Sequence, residues 1–386
     1  MGLLRYIHTL MILLSGPNIA GNEWKYVKDC LDTGWVSSVG AYVSQFENMV
    51  AEYAGAKYGV ATSSGTTALH VSMILEGIGQ GDYVIVPNIT FVASINSIKY
   101  TGADPILMDV DPNTWQMDLD LLEKFLTEEC SAGEEGLVYT KNGRRVKAIM
   151  PVHVLGNICD MDRLLRLAEQ FGLTIIEDST EALGSYYKGK HAGSFGKFGC
   201  FSFNGNKIIT CGGGGVIVTD DEELAKKAKH LTTQAKADSF EYYHDEVGYN
   251  YRLVNVSAAI GVAQMEQLPG FIERKHQIAK HYMDELGGIG DIEFQQVSAD
   301  VNPNWWLFTF KSAKQREILA ALNAKKMQSR PFWIPMNQLP MYQGELYYNQ
   351  TDQSNEIYKV CLSIPCSSYL TDEELVQISD TIKSCF

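Results

Sequence analysis

Long apolar runs are missing from this chain of 386 residues. The one near its start, Leu10 to Leu14, follows Arg5 and His8, is too short to cross a bilayer, and has no small-residue cleavage site after it. The sequence therefore predicts neither a signal peptide nor a membrane span. Cysteine is sparse and unpatterned: eight residues at 30, 130, 159, 200, 211, 361, 366 and 385 form no C-x-x-C pair. That excludes a disulfide framework and fits free thiols in a reducing, cytoplasmic setting. Positive charge is also short, with 32 Lys and Arg against 46 Asp and Glu and a formal net charge of -14. Such a field repels nucleic acid and anionic lipid, so neither is an expected partner. Any phosphate must then be held by local devices, namely helix N-termini and a few placed cations. No internal repeat is present. No G-x-G-x-x-G stretch opens a helix after a strand, which argues against a nicotinamide dinucleotide.

What is present is a core. At 45% hydrophobic residues the chain can fill roughly two or three domain-sized units. From about residue 58, β-rich runs alternate with helical stretches, the pattern of an α/β fold with a mostly parallel sheet covered by helices. The predicted strands are 58–62, 82–87, 104–110, 146–153, 173–178, 199–203 and 215–219. Several are apolar on both faces, as a sheet covered on both sides requires. Residues 161–171 form an amphipathic helix with Leu164, Leu165, Ala168 and Phe171 at helical spacing. After about residue 254 the rhythm changes to helices at 254–268 and 271–286, an apolar run at 305–311, a helix near 314–325, and a last helix at 371–382 with Thr371 as N-cap. This organisation divides the chain into an N-terminal extension or arm (1–20), a large domain (21–268) and a smaller α+β C-terminal domain (269–386). Met11 reads as a domain start, leaving residues 1–10 as a tag, a start-site extension or a loose tail. Residues 127–147 read as a polar, solvated surface loop.

The chemistry concentrates in a few places. In FSFNGNKIITCGGGGVIVT (201–219), Lys207 sits between a strand and four glycines, where backbone can approach a ligand closely. Flanked by apolar residues, it reads either as a partly desolvated amine able to condense with an aldehyde or as an ordinary surface lysine beside a turn. Asp178 ends the apolar strand LTIIED, at the edge where parallel sheets present ligand-binding groups. It could pair with a protonated pyridine nitrogen or cap the next helix. TSSGTTALH (62–70) offers hydroxyls and free N–H groups at a helix start, a phosphate cradle or plain N-capping. Phe91, in NITFVAS, could stack on a flat heteroaromatic ring or sit in the core. His153, at a strand end, reads first as a hydrogen-bonded structural histidine and second as a functional one.

These segments, together with GNEWKYV, GWVSSVGAYVSQFE, IEDSTEALGS, GYNYRL and LSIPCSSYLTDEEL, resemble the DegT/StrS-type sugar aminotransferases over almost the whole chain from Met11. The resemblance implies the aspartate-aminotransferase-like fold type I of pyridoxal 5′-phosphate (PLP) enzymes. It implies Lys207 as the lysine that carries the cofactor and shuttles protons, and Asp178 as partner of the pyridine nitrogen. It implies Ser64, Gly65, Thr66 and Ser202 around the phosphate, with Phe91 against the ring. Asn250 would reach the phosphate of a neighbouring subunit, making a homodimer with shared sites. Ser37, His153, Arg252 and Arg330 are the implied substrate contacts. Where many relatives have Gln or His, this chain has Glu181, which would contact the cofactor or the substrate. The implied reaction moves an amino group from L-glutamate to a nucleotide-linked keto sugar. The look is closest to the subgroup acting on UDP-linked 4-keto-6-deoxy-N-acetylhexosamines, as in legionaminic acid pathways. A 3-keto sugar or GDP-4-keto-6-deoxymannose is the alternative. A dehydratase of the same fold would replace Lys207 by histidine, and a fold retained without turnover leaves only a nucleotide-sugar-binding protein.

Overall fold

The computed structural model describes residues 11–238 and 240–386; the expectation for residues 1–10 lies outside the described residues. A ten-stranded, mostly parallel sheet dominates it. Its main path runs Tyr58–Thr62, Gly215–Thr219, Phe198–Ser202, Thr174–Asp178, Arg145–Ile149, Asp82–Pro87, Asp104–Met108 and Leu346–Tyr348. Along that path only Gly215–Thr219 is antiparallel to its two neighbours.

The two-sided burial read from the sequence follows from strand geometry, because alternate side chains point to opposite faces. Val84 and Val86 enter one core layer, while Tyr83 and Ile85 enter the other. Leu107 against Ile106 and Met108, and Ile176 against Ile175, repeat the division. The predicted helix at 161–171 is observed as Met161–Phe171. Asp160 caps its first turn through Arg163 N–H at 3.0 Å, and Gly172, with φ of +65°, ends it. Its buried face is Met161, Leu164, Leu167 and Ala168, whereas Leu165 and Phe171 are only half-buried.

Two expectations change. Residues 127–147 are not simply a solvated loop: Cys130–Gly133 and Gly136–Tyr139 form a hairpin whose second strand pairs with Arg145–Ile149. Alternation explains it, since Leu137 and Tyr139 are buried and the Tyr139 ring stacks on Phe125 at 5.7 Å. The apolar run 305–311 becomes a strand only at Phe308–Lys311, because Trp305 takes a left-handed backbone with φ of +51°. That strand belongs to a four-stranded antiparallel sheet with Glu293–Phe294, Cys361–Ile364 and Arg330–Pro331. Thr371 caps the last helix, Asp372–Lys383, in a capping box with Glu374. Among the described residues no helix is long and apolar enough to cross a membrane. All eight cysteines are free thiols.

The last glycine of the run 212–215 has a steric reason. A Cβ on Gly215 would lie 2.4 Å from the Ser64 carbonyl oxygen and 2.5 Å from its carbon. Both are backbone atoms of the turn that opens the helix Gly65–Leu75, so they cannot swing aside. Gly215→Ala should therefore lower the free energy of unfolding by about 2 kcal/mol or more. Gly270→Ala, in the helix Leu268–Leu286 with nothing within 4 Å of the added carbon, should raise it by about 0.5 kcal/mol. Denaturant titration measures both, and equal effects at the two positions would contradict the steric account.

Candidate active site

The carboxyl ends of the parallel strands converge on a cavity of about 600 Å³. Asp178 and Ser202 end their strands there, and Ser64 and Phe91 open the helices that follow two others. Ser64, Gly65, Thr66, Phe91, Asp178, Glu181, Ser202, Lys207 and Arg330 all line this one cavity. Residues separated by up to 266 positions in sequence are thus brought together, most by strand order in the main sheet and Arg330 from the smaller antiparallel sheet.

Each predicted group is placed by its surroundings. Ser64 is the N-cap of Gly65–Leu75, its hydroxyl accepting from Thr67 N–H at 3.2 Å, so the capping reading holds. The first N–H groups of a helix have no intrahelical partner, and Gly65 and Thr66 line the cavity beside that cap. The cradle is also tight: a Cβ on Gly65 would lie 2.7 Å from Ser202 Cβ and 3.0 Å from Thr180 Cγ2. Asp178 is fixed on both oxygens, by Ser94 Oγ–H at 2.6 Å and Thr180 N–H at 3.2 Å. Ser94 Oγ in turn lies 2.7 Å from Thr90 Oγ1. Phe91 is 53% exposed, so it is a cavity wall and not core.

Lys207 is no ordinary surface lysine, since its side chain is only 12% exposed. Its Nζ lies 4.0 Å from Glu181 Oε1 and 3.8 Å from the centroid of the Trp306 ring. Burial pushes the amine below the usual lysine range, while the Glu181 and Asp178 carboxylates pull it back up. Glu181 is raised to about 7, chiefly by burial; Lys207 and the Leu155 N–H oppose the rise and Asp178 adds to it. That N–H reaches Glu181 Oε2 at 2.8 Å from a leucine held at φ of +63°. A leucine there costs about 1 kcal/mol or more, which the surrounding structure must offset.

Other predicted residues lie elsewhere. His153 is fully buried, its Nε2 2.9 Å from Glu177 Oε2, and it does not line the cavity; the structural reading replaces the substrate contact. The reason is local: Glu177 and Asp178 are successive strand residues facing opposite sides, and His153 pairs with the former. Arg252 lines a second hollow of about 810 Å³ with Trp35, Val39, Lys229 and Asn255. The Ser37 carbonyl, beside that hollow, accepts from Asn255 N–H at 2.6 Å. Asn250 is exposed, its Oδ1 accepting from Arg252 Nη2 at 3.1 Å. Within one chain, then, Ser37, Asn250 and Arg252 are not brought to Lys207. Ser94, Thr180, Trp306 and Trp333 belong to the cavity and were not singled out from sequence. Ser94 lies inside the quoted NITFVAS motif, and Trp306 was absorbed into an apolar run.

The model of the DegT/DnrJ/EryC1/StrS aminotransferase family matches residues 17–383. A GDP-perosamine synthase of Escherichia coli O157:H7 is 39% identical over 373 residues, covering 96% of this chain and 97% of the relative. Another from Caulobacter vibrioides is 38% identical, covering 95% and 96%. Among solved structures, a DegT DnrJ EryC1 StrS aminotransferase from Brucella abortus superposes with a TM-score of 0.87 at 26% identity, covering 94% and 95%. Spr1654 of Streptococcus pneumoniae in its PLP form gives 0.86 at 27%, covering 97% and 98%. The expected α/β, PLP-enzyme fold is thereby borne out. With the family match spanning nearly the whole chain, this protein belongs to the DegT/DnrJ/EryC1/StrS family of PLP-dependent aminotransferases.

Proposed function

We propose that this protein transfers an amino group from L-glutamate to the keto carbon of a GDP-linked 4-keto-6-deoxy sugar. The observation that carries the transfer chemistry is the buried Lys207 amine facing the Glu181 carboxyl across 4.0 Å. The nucleotide rests on relatives named GDP-perosamine synthase, the two described above among them. Those names favour the GDP alternative over the UDP-sugar, legionaminic-type substrate first expected.

Bound PLP supplies an aldehyde that carries the amino group and a ring that withdraws electrons. The chain supplies the rest. Ser64, Gly65, Thr66 and Ser202 offer hydroxyl and N–H donors suited to its phosphate, in the cradle that a Cβ on Gly65 would fill. Asp178, held by Ser94 and Thr180, presents a fixed carboxylate to a cationic ring nitrogen. Phe91 provides a flat apolar face, and Arg330 a cation at the rim for a diphosphate. Lys207 Nζ takes up and returns protons, and Glu181, poised near neutrality, holds a proton beside it. Asn250, exposed and away from its own Lys207, would serve the site of a second copy in a homodimer. The division into an arm (1–20), a large domain (21–268) and a small domain (269–386) belongs to the same reading.

The substrate is tested by offering L-glutamate with either GDP-4-keto-6-deoxymannose or UDP-2-acetamido-2,6-dideoxyhexos-4-ulose and reading amino-sugar products by mass and NMR. The GDP sugar should react with at least about tenfold higher kcat/KM. Preference for the UDP sugar restores the legionaminic-type reading, and no product from either ends the proposal.

The pairing of Lys207 with Glu181 has a sign. A neighbouring carboxylate favours the ammonium, so removing it must lower the lysine pKa. In cofactor-free Glu181→Gln protein, the pH midpoint for chemical acylation of Lys207, followed by peptide mass, should fall below that of the wild type. Asp178→Asn should move it the same way by less, since Glu181 is the larger of the two effects. An unchanged midpoint in Glu181→Gln would mean that the two groups do not share a proton.

A further inference from the structure

Trp306 is held at three points. Its indole N–H donates to the Asn206 carbonyl at 2.7 Å, one residue before Lys207. Its own N–H donates to Asn304 Oδ1 at 2.8 Å. Asn304 spends its amide hydrogens on the carbonyls of Glu181 and Leu183, at 2.8 and 2.9 Å, which ties the loop to the segment that carries Glu181. The third support is Lys275, which donates from Nζ to the Trp306 carbonyl at 2.7 Å.

Lys275 is an expensive support. It is 3% exposed in the middle of the helix Leu268–Leu286, and its other contacts are the Cys366 carbonyl at 2.7 Å and Cys366 Sγ at 3.3 Å. Burial pushes its amine below the usual lysine range. A methionine would fill the same space without the cost of burying a charge, so the amine is explained by the carbonyls it fixes. The ring so fixed has its face 3.8 Å from Lys207 Nζ, within the range of a strong cation–π contact. Trp333 lies parallel to it with ring centroids 6.3 Å apart, backing the indole on its way to the cavity wall.

We propose that Trp306 is a positioning residue for Lys207: its anchored indole face clamps the amine between itself and Glu181 and works against the burial that disfavours its charged form. The lysine stem has four rotatable carbons and would otherwise wander in a cavity of about 600 Å³. Three effects set the charge at Nζ: the carboxylates of Glu181 and Asp178 and the indole face favour the ammonium, whereas burial opposes it. Arg330, at the rim of the same cavity, is the opposing cation. Lys275 and Asn304 act through Trp306 and touch no reacting group.

The test must weaken the indole face without letting water in, because a small side chain would relieve the burial of Lys207 and mask the effect. Tryptophans bearing one to four fluorines, placed at position 306 alone, withdraw electron density while keeping the ring's outline. In cofactor-free protein the acylation midpoint of Lys207 should fall stepwise with fluorine number, by about half a pH unit or more across the series. A flat series overturns the clamp. In the PLP-loaded enzyme kcat should fall along the same series with KM for L-glutamate unchanged, and Trp306→Phe should retain more kcat than Trp306→Leu. A rise in KM at constant kcat would make Trp306 a substrate wall and overturn the proposal. The inference rests on Lys207 as the working amine, yet the two fail separately: a midpoint that responds while kcat does not would leave the clamp standing and remove Lys207 from the chemistry.

Discussion

One amine kept out of water within reach of two carboxylates is the constraint on which the rest of this structure depends. In an unfolded chain Lys207 would be a hydrated ammonium. Burial penalises that charge, and Glu181 and Asp178 restore part of it, so the amine gives up its proton more readily than an exposed lysine does. Glu181 is balanced in the same way from the acid side. The pair is expensive for the fold and useful only if something reacts there. A strained Leu155, a buried Lys275 and an Asn304 with all its amide hydrogens committed are the supports that keep it in place.

The fold makes that arrangement possible through strand order. Because the strands that end in Asp178 and Ser202 are parallel neighbours, and Tyr58–Thr62 follows the antiparallel Gly215–Thr219, four chain segments release their functional residues at one edge. The loop bearing Trp306 then covers the edge from the start of the smaller antiparallel sheet. The cavity is thus walled by elements from both sheets, and its chemistry depends on how firmly that loop is tied down.

Much of this was legible in the sequence. Strands buried on both faces announce themselves as continuous apolar runs, and 58–62, 82–87 and 215–219 match the observed bounds. The helix Met161–Phe171 was equally plain because Asp160 and Gly172 punctuate it. The hairpin at 130–139 was hidden by its polar tip, since only Leu137 and Tyr139 carry its alternation. Trp306 was hidden by composition: in an apolar run an indole reads as core until the positive φ of Trp305 breaks the strand. His153 shows the reverse: read from the residues it is first a hydrogen-bonded structural histidine, which the buried pair with Glu177 matches, whereas the substrate contact implied by the resemblance is not met. The nucleotide was not legible, because the groups that can hold a diphosphate, backbone donors and a placed cation, occur in many sequences and do not specify a base.

The central claim is that Lys207, and no other lysine, carries the cofactor. Borohydride reduction of the PLP-loaded protein, followed by proteolysis and peptide mass mapping, tests it most directly. The account predicts a phosphopyridoxyl group on the peptide containing Lys207 and loss of that label in Lys207→Ala, with the cofactor still bound through its phosphate. A label on Lys275 or any other lysine, or no label on a protein that demonstrably holds PLP, would contradict it.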